Sequence, residues 1–416
     1  MKLGEVLKNR EGRYKPNDPT IAGLKRIDKI NFSGHIFLSD KGSNTDMILI
    51  KKGDLVISGI NVEKGALAVY EGEEDILATI HYSSYIFDTS KIDIDFLKVF
   101  LRSPDFVQLL KEQVPGGIKT EIKPKHILPL EVYFPETTTE QKAIAQHFFE
   151  KEAKFNQLND NISHQLIQLD NLNQAILQEA VQGKLVPQDP KDEPASELLK
   201  RIKAEKAKSR KKVKPLPPIK PEEIPFEIPE NWVWCRLGEM SINRDGERKP
   251  ISQAERNGRQ KIYDYYGASG VIDKIDGYTH EGELLLIGED GANLVTRSTP
   301  IAFLAKGRFW VNNHAHVLDT VDRITLDYLC AYINSIDLKP FVTGGFQPKL
   351  SQGNLNIIPV PLPPLSEQKR IVAEIEKQFA LTKQLKEHII ANQQATEQLL
   401  KALLHQAFEV RENETV

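Results

Sequence analysis

The sequence predicts an α+β protein with two similar globular domains, each built from a mixed sheet and short helices. Long helices separate the domains, and we expect these helices to pair as an antiparallel two-helix coiled coil. Three observations predict this fold: an internal repeat, short β-like runs bounded by glycine, and a long apolar stripe at helical spacing after each repeat. The repeat also predicts an internal duplication with pseudo-twofold symmetry.

The internal repeat consists of short runs that occur twice in the same order. Glu-Gln-Lys-Ala-Ile at 140–144 matches Glu-Gln-Lys-Arg-Ile at 367–371, and a Gly-Gly pair precedes each run. The other matching pairs are Leu-Gly-Glu at 3–5 and 237–239, Gly-Asp-Leu-Val-Ile at 53–57 with Gly-Glu-Leu-Leu-Leu at 282–286, and Ile-Asp-Phe-Leu at 94–97 with Leu-Asp-Tyr-Leu at 326–329. Two similar domains suit a two-part linear target, and DNA is the target that we expect.

The composition is that of an ordinary globular chain, with 40% hydrophobic and 27% charged residues. No apolar run approaches the roughly 18 residues that a membrane span needs. Cys235 and Cys330 lie too far apart in sequence for a Cys-x-x-Cys metal pair, and two cysteines do not make a disulfide framework. These features predict a cytoplasmic protein without a membrane segment. The net charge of -3 argues mildly against a dedicated nucleic-acid binder, although only the local charge of a binding face counts.

Residues 1–138 form the first predicted domain. Short apolar runs bounded by glycines predict strands at 48–50, 55–57 and 67–70. From Ile94 to Leu110 apolar residues recur at helical spacing, and Pro104 interrupts them. Two short helices are therefore expected there rather than one long helix.

Residues 139–186 predict a helix of about 40 residues, which would be roughly 60 Å long. Thr139 is the expected N-cap, Glu140 places a negative charge in the first turn, and Gly183 supplies the stop. Such a long amphipathic helix needs a partner to bury its apolar stripe. The pattern at 365–410, with Ser366 as the expected N-cap, supplies that partner.

Residues 187–230 predict a proline-rich, basic linker, and residues 231–364 predict the second domain. The basic stretch at 200–214 is interpreted as a solvated helix or flexible connector, with a contact to DNA or to a partner as the second interpretation. Apolar runs at 284–287 and 301–304 are candidates for buried strands. Trp232 and Trp234 lie at the start of the second domain, directly after the linker. We expect these tryptophans to lie in the core of that domain and at the rim of the core.

No catalytic or metal site is predicted. Asp105, Glu121 and Lys123 have the spacing of a Pro-Asp…Glu-x-Lys nuclease motif, but the second repeat lacks it, so we interpret the match as chance. The adenine methyltransferase loop and the Gly-Lys-Ser/Thr phosphate loop are absent from the sequence. His314 and His316 could face one side of a strand, but no third ligand accompanies them, so packing or a DNA contact is favoured.

The ordered set of these motifs, present in duplicate, resembles the specificity subunit of type I restriction–modification systems. Trp232 to Glu239 open one unit, followed by Gly-Gly, a proline-rich strand, Glu-Gln-Lys-x-Ile and a long helix. The first repeat departs from this pattern because no tryptophan-bearing segment precedes Leu3. We expect either that its opening strand is abbreviated or that the true start lies upstream.

The resemblance implies two target recognition domains, at 1–138 and 231–364, each reading one half of a bipartite double-stranded DNA sequence. It implies that the helices set the spacer and dock two methyltransferase subunits, and that motor-nuclease subunits then join. It also implies that the chain itself is not an enzyme and holds no cofactor. S-adenosylmethionine, ATP and Mg²⁺ would be bound by the partner subunits.

Two sets of functional residues are predicted on this basis. Glycines let a backbone approach phosphates, lysines add positive charge, and Gln347 could pair with adenine. The predicted DNA-binding residues are Gly116, Gly117, Lys119, Thr120, Lys123, Lys125, Asn293, Arg297, Asn313, Gly344, Gly345, Gln347 and Lys349. The predicted partner interface comprises Glu140, Gln141, Lys142, Glu367, Gln368 and Lys369. A tight turn that precedes a strand explains the two Gly-Gly pairs about as well as DNA binding does.

The competing hypothesis is a coiled-coil adaptor whose paired domains bind other proteins, and a metal-dependent nuclease is a third. The sequence does not supply the half-site sequences or the spacer length. Readout depends on loop geometry and DNA shape as well as on residue type.

Overall fold

The computed structural model describes residues 1–31, 34–60, 66–113, 121–208 and 215–408. The chain divides into two compact units, which we describe separately. Unit 1 comprises residues 1–164 and 389–416, and unit 2 comprises residues 165–388. Both long helices therefore contribute residues to both units, whereas the sequence pattern placed the divisions at the helix ends.

Unit 1 contains two four-stranded sheets and short helices. The strands are β1 (Leu7–Asn9), β2 (Arg26–Ile30), β3 (Ile36–Ser39), β4 (Met47–Ile50), β5 (Leu55–Ser58), β6 (Leu67–Val69), β7 (Ile76–Thr79) and β8 (Tyr82–Phe87). The helices are α1 (Ile94–Leu101), α2 (Pro104–Gln113), α3 (Pro124–Ile127) and the first part of α4 (Thr138–Val181). The sheet orders are β1-β8-β5-β6 and β3-β2-β7-β4, and β2 pairs in parallel with β7. The predicted strands and the break at Pro104 are confirmed.

The core of unit 1 lies between the sheets and the short helices. Tyr85 of β8, Phe96 of α1 and Phe106 of α2 are among its largest fully buried side chains. Phe100 makes edge-to-face contacts with Phe106 and Phe134 at centroid distances of 5.6 and 4.8 Å. Aromatic rings thus join the two helices to the segment that leads into α4.

Unit 2 is built around a six-stranded sheet. Besides the second part of α4, its elements are α5 (Ala195–Lys208), β9 (Val233–Arg236), α6 (Leu237–Met240), β10 (Ile242–Asn243), α7 (Gln253–Asn257), β11 (Tyr263–Gly267), β12 (Gly270–Ile275), β13 (His280–Gly288), α8 (Asn293–Thr296), β14 (Ala302–Val311), β15 (Ala315–Asp319), α9 (Arg323–Ser335), α10 (Gln352–Asn356), β16 (Pro359–Leu362) and the first part of α11 (Leu365–Phe408). The order of the large sheet is β10-β15-β13-β14-β11-β12, and β16 pairs with β9. The parallel pairing of β11 with β14 makes the sheet mixed, as predicted.

The two long helices are 44 residues each, about 66 Å by the rise of an α-helix. Their N-terminal caps differ from the prediction. Thr137 caps α4, because its hydroxyl accepts from the N–H of Glu140 while the Glu140 carboxylate accepts from the Thr137 hydroxyl at 2.8 Å. Ser366 lies inside the first turn of α11 rather than at its cap. Within the described ranges, no helix combines the length and apolar character that a membrane-spanning segment needs.

The pairing of α4 with α11 is antiparallel within unit 2. The Thr382 hydroxyl donates to the side-chain oxygen of Asn173 at 2.8 Å, and Lys386 lies 3.4 Å from Asp170. As the residue number falls along α4 it rises along α11, which defines the direction. Of the apolar stripe, Leu169, Ile176 and Ile375 are buried, whereas Leu172 and Leu385 are exposed.

The predicted linker contains an ordered helix. One face of α5 is buried in the core of unit 2 through Ala195, Leu198, Leu199 and Ile202. Lys206 donates from its ammonium group to the carbonyls of Gly238 and Ser241, at 2.5 and 2.6 Å. Burial lowers the pKa of Lys206. The described part of the basic stretch is thus a helix, one of the two predicted alternatives, with one face packed in the core and Lys200, Arg201, Lys203 and Lys208 exposed.

Candidate nucleic-acid interface

In unit 2, three loops meet at one point through two backbone hydrogen bonds. The N–H of Leu350 donates to the carbonyl of Glu289 at 2.8 Å, and the N–H of Glu289 donates to the carbonyl of His314 at 2.8 Å. These bonds join the loop after β13, the loop before β15 and the segment that follows the Gly-Gly pair. We call this arrangement the loop frame.

Unit 1 contains the same loop frame. The N–H of Ile122 donates to the carbonyl of Gly59 at 2.7 Å, and the N–H of Gly59 donates to the carbonyl of His81 at 2.8 Å. Gly59 therefore stands where Glu289 stands in unit 2, with His81 and Ile122 in place of His314 and Leu350. A Cβ at position 59 would lie 2.6 Å from the Ile122 carbonyl oxygen, so the close approach in unit 1 requires glycine.

The loop at 343–349 is closed at its base and exposed at its tip. Thr343 and Lys349 exchange backbone hydrogen bonds of 2.9 and 2.7 Å, and the N–H of Gly291 donates to the Pro348 carbonyl at 3.0 Å. Gly344 has φ +86°, a left-handed conformation that favours glycine. The residues of the tip, 344–347, are all exposed.

Paired charges lie under this loop. Lys349 lies 3.2 Å from Glu289, which also accepts from Arg248 at 2.6 Å. Nδ1 of His316 lies 2.7 Å from Asp245, and its Nε2 lies 2.7 Å from the carbonyl oxygen of Leu350. Because a carbonyl oxygen only accepts, Nε2 of the buried His316 must carry a proton. The imidazole therefore fixes the chain at the point where the 343–349 loop ends.

The two carboxylates of this network stay ionised. Burial raises the pKa of Asp245, but the hydrogen bond and charge interaction with His316, together with hydrogen bonds to Asn243 and the backbone of Val317, hold the pKa below its ordinary value. Burial also raises the pKa of Glu289, but Arg248, His316 and Lys349 together hold the pKa below its ordinary value. Oxygen and nitrogen atoms of Asp245, Glu289 and His316 lie within 4.8 Å of one another, a spacing that could suit a metal ion. Both nitrogens of His316 and both carboxylates already have partners, so we interpret the cluster as an ion-pair network.

The structure gathers five of the predicted DNA-binding residues of unit 2 around the loop frame. Gly344, Gly345, Gln347 and Lys349 lie on the 343–349 loop, and the exposed Asn313 precedes His314 of the loop frame. His314 pairs with Asp290 at 2.8 Å, which connects the Asn313 loop to the loop after β13.

The side chains of Arg297 and Asn293, two further predicted DNA-binding residues, form hydrogen bonds within unit 2. Arg297 has φ +52°, and its guanidinium donates to the carbonyls of Ile333 and Ile336 at the end of α9. The guanidinium thus caps the end of α9, and a DNA contact at Arg297 stays a prediction. Asn293 donates to the Thr299 carbonyl at 3.1 Å and accepts from the Thr299 N–H at 3.1 Å, so its amide holds its own loop closed.

In unit 1, four of the predicted DNA-binding residues lie outside the described residues: Gly116, Gly117, Lys119 and Thr120. Lys123 and Lys125 are exposed at the start of α3. Lys123 lies 3.5 Å from Glu121, which also pairs with His81 at 2.9 Å. The end of this loop is thus tied to the loop frame of unit 1 by charged side chains.

Gln141 and Gln368 of the predicted partner interface are fully buried. Nε2 of Gln141 donates to the carbonyl of Pro135 at 2.9 Å, and Nε2 of Gln368 donates to the carbonyl of Pro363 at 2.9 Å. A partner cannot contact side chains that are enclosed in this way. The prediction is therefore wrong for both glutamines, which anchor each long helix to its own domain.

The glutamates that precede them differ between the repeats. Glu367 is buried and accepts from Trp232 Nε1 at 2.9 Å and from Gln188 Nε2 at 2.6 Å, so its assignment to the partner interface is also wrong. Burial raises the pKa of Glu367 despite these hydrogen bonds. Glu140 is exposed at the start of α4. Lys142 and Lys369 are exposed as well, and for these three residues the partner interface stays a prediction.

Asp105 and Glu121, the two carboxylates of the nuclease-like motif, are paired with different side chains. His405 Nδ1 lies 2.8 Å from Asp105, and Glu121 is held by His81 and Lys123. In the part of the chain that the structure describes, the one group of three or more potential metal ligands is the Asp245 cluster of unit 2. The geometry therefore gives no support to a nuclease centre at Asp105.

Sequence reasoning missed two features of this interface. Phe346 lies at the tip of the 343–349 loop and is fully exposed; its position between Gly345 and Gln347 was the available signal. The network of Arg248, Asp245 and Glu289 corresponds to no motif in the sequence, because only the fold brings these residues together.

Comparison with known proteins supports the resemblance. Residues 229–392 match the model of the type I restriction modification DNA specificity domain. The chain is 33% identical over 293 residues to the specificity subunit of the type I restriction enzyme EcoEI from Escherichia coli, covering 62% of this chain and 48% of that protein. It is 36% identical over 262 residues to the EcoAI specificity subunit from Escherichia coli, covering 56% and 44%. The chain thus spans about half the length of the curated relatives it matches.

Solved structures share the fold. A chain in a structure that addresses the complex assembly and conformational transition of the type I R-M system aligns with a TM-score of 0.67 and 14% identity, over 98% of this chain and 96% of that chain. The HsdS subunit from Thermoanaerobacter tengcongensis aligns with a TM-score of 0.51 and 15% identity, over 98% and 95%. The predicted α+β fold with long helices is confirmed by these likenesses.

Proposed function

We propose that this chain is the DNA sequence-specificity subunit of a type I restriction–modification complex, because residues 229–392 match the model of the type I restriction modification DNA specificity domain. Each recognition domain reads one half of a bipartite, asymmetric double-stranded DNA target. The observation that carries the proposal is the loop frame, which occurs in both units with the same backbone hydrogen bonds. A shared frame with different exposed side chains suits two readers of the same polymer that recognise different sequences.

In unit 2, the exposed tip of the 343–349 loop supplies the reading surface. Gln347 offers an amide that can pair with both N6 and N7 of adenine. Lys349 lies on the same loop, and the exposed Asn313 precedes His314 of the loop frame. Both side chains contact the phosphate backbone of the DNA. The acidic residues beneath the loop do not repel DNA strongly, because Glu289 is neutralised by Arg248 and Lys349, and Asp290 is paired with His314.

The long helices dock two methyltransferase subunits and set the spacer between the half-sites. Several apolar side chains on the helices are exposed: Leu158 and Leu399 in unit 1, and Ile167, Leu172, Leu381 and Leu385 in unit 2. Apolar residues at these positions leave surface for further helices to cover. Glu140, Lys142 and Lys369, at the exposed helix starts, form the polar part of the same interface.

The chain acts without catalytic residues of its own. The partner methyltransferase supplies S-adenosylmethionine chemistry, and the motor-nuclease subunits supply ATP- and Mg²⁺-dependent cleavage. Support comes from the relatives, which are specificity subunits, and from the engaged side chains at Asp105 and Glu121.

The test is co-expression of the chain with a methyltransferase encoded beside it, followed by single-molecule mapping of methylated bases. We expect a single bipartite motif with a fixed spacer, and no methylation when either protein is omitted. A stable complex that leaves genomic DNA unmodified would contradict the proposal and would favour the adaptor. Cleavage of DNA by the purified chain with Mg²⁺ alone would favour the nuclease.

A further inference from the structure

Phe346 is a large apolar side chain held fully in solvent at the tip of the 343–349 loop. Gly345 and Gln347 on either side are exposed as well. Apolar aromatic side chains are usually buried, because removing their surface from water is favourable. A ring held outside the core on a loop of the reading surface therefore calls for a binding partner.

Three sets of hydrogen bonds anchor the base of the loop that carries Phe346. The Thr343–Lys349 backbone pair closes it, Gly291 holds Pro348, and His316 holds the carbonyl of Leu350. The ring is thus presented by an anchored turn, which limits the entropy that binding must remove.

The apolar surface at this tip is only one ring wide. Gly344 and Gly345 have no side chains, and Gln347 is polar. A stable protein interface buries about 800 Å² on each partner, far more than a single ring provides. A base-pair step, in contrast, accepts one flat apolar side chain, and several DNA-binding proteins insert Phe or Leu in this manner.

We propose that Phe346 inserts against the bases of the half-site read by unit 2, stacking at one base-pair step while Gln347 pairs with a neighbouring base edge. This assignment rests on the proposed DNA-reading function and adds a residue that contacts bases without hydrogen bonds. Gly344 and Gly345 leave room for the backbone of the loop to come close to the DNA. Lys349 balances the charge at the base of the loop.

The experiment uses the complex of the full chain with its methyltransferase and duplexes that carry the mapped target. Phe346→Ala is compared with Phe346→Trp and with Val321→Ala, an exposed apolar residue that follows the opposite end of β15 from the His314 loop. Aromatic stacking on a base contributes about 1–3 kcal/mol, so Phe346→Ala should weaken specific binding by about 5- to 150-fold. Phe346→Trp should retain most of the affinity, and Val321→Ala should bind like the wild type.

Two further readouts identify the contact. The salt dependence of binding should be the same for Phe346→Ala and the wild type, because no phosphate contact is removed. A 2-aminopurine placed in the unit 2 half-site should change its fluorescence on binding of the wild type and of Phe346→Trp, but much less with Phe346→Ala.

The outcomes separate this inference from the proposed function. If the wild-type complex methylates a bipartite site and Phe346→Ala binds that site with unchanged affinity, the inference is wrong and the function stands. Loss of the methyltransferase from the Phe346→Ala complex would also overturn the inference, since Phe346 would then be a protein contact. A wild-type complex without any specific site contradicts the function itself.

Discussion

The side-chain oxygen of Gln141 accepts a 2.7 Å hydrogen bond from the backbone N–H of Asp93, which caps α1. In unit 2 the side-chain oxygen of Gln368 lies 3.1 Å from the hydroxyl of Thr325, in the first turn of α9. Asp93 and Thr325 directly precede the matching runs at 94–97 and 326–329. The same glutamine therefore ties each long helix to the helix that packs on its own sheet.

Replacing these glutamines should destabilise the unit to which each belongs. Gln141→Ala leaves the N–H of Asp93 and the carbonyl of Pro135 without their side-chain partner, and each stranded buried group costs about 1–3 kcal/mol. Gln368→Ala should cost less, because the Thr325 hydroxyl keeps Asp322 as an acceptor at 2.9 Å. Denaturant unfolding followed by circular dichroism measures both changes.

The neighbouring lysines provide matched controls for the glutamines. Lys142 and Lys369 are exposed, so Lys142→Ala and Lys369→Ala should change the free energy of unfolding by less than about 0.5 kcal/mol. If the proposed interface is correct, the lysine variants should instead weaken methyltransferase capture. Equal loss of stability in all four variants would contradict the anchoring role of the glutamines.

The carboxyl group of Glu367 predicts a pH-dependent contribution to stability. Burial raises its pKa in the folded chain, so the folded state binds the proton more tightly than the unfolded state. Its favourable contribution is complete below the unfolded pKa of about 4.3 and is lost as the pH rises through the folded pKa. The stability of Glu367→Gln relative to the wild type should therefore increase from pH 4 to pH 8.

Glu140→Gln is the control for this pH effect. Its carboxyl is exposed at the matching position, so this substitution makes the same chemical change without altering a buried group. Glu367→Ala should show the same rise with pH but remain about 1–3 kcal/mol less stable than Glu367→Gln, since Trp232 Nε1 loses its acceptor. A Glu367→Gln curve that runs parallel to the wild type from pH 4 to pH 8 would contradict the raised pKa.

The two glycines of the unit 2 loop should respond differently to alanine. Gly344 has φ +86°, and a Cβ there would lie 2.5 Å from the Gln347 carbonyl oxygen, whereas a Cβ at Gly345 would meet nothing within 4 Å. Gly344→Ala should therefore strain the loop by about 1–3 kcal/mol and weaken specific DNA binding. Gly345→Ala should bind like the wild type, and electrophoretic titration with the mapped target compares them. Equal affinities for the two variants would show that loop geometry is not used in binding.

The repetitive parts of the fold could be predicted from the sequence because they depend on local patterns. The long helices follow from the apolar spacing, and the stop after Val181 follows from Gly183, which has φ +73°. The cap at Thr137 was missed because Thr137, Thr138 and Thr139 are consecutive and equally suited to the role. Thr137 differs from the other two threonines only because Glu140 lies three residues after it, where its carboxylate accepts a hydrogen bond from the Thr137 hydroxyl.

The site could be predicted only in part, because side-chain direction depends on contacts distant in sequence. Gln347 and Lys349 were located from the Gly-Gly pair. Arg297 was a further DNA-binding candidate, but the sequence did not show that its guanidinium donates to the carbonyl of Ile333 in α9, 36 residues away. Gln368 was placed in the partner interface with the repeated Glu-Gln-Lys run, which did not show that its amide contacts Thr325 of α9 and the carbonyl of Pro363.

The length of the helix pair should determine the spacer of the DNA target. Contacts at Asp170–Lys386 and Asn173–Thr382 fix the register, so seven residues inserted after Asn171 and seven after Lys383 lengthen both helices together. Seven residues add about 10.5 Å and preserve the face of each helix to within about 20°. With base pairs about 3.4 Å apart, the spacer should increase by about three base pairs while both half-sites remain unchanged.

Methylome sequencing of the lengthened variant measures the spacer, and an insertion in α4 alone, which breaks the register, is the control. A lengthened variant that methylates the original spacer would show that the helix pair does not set the distance.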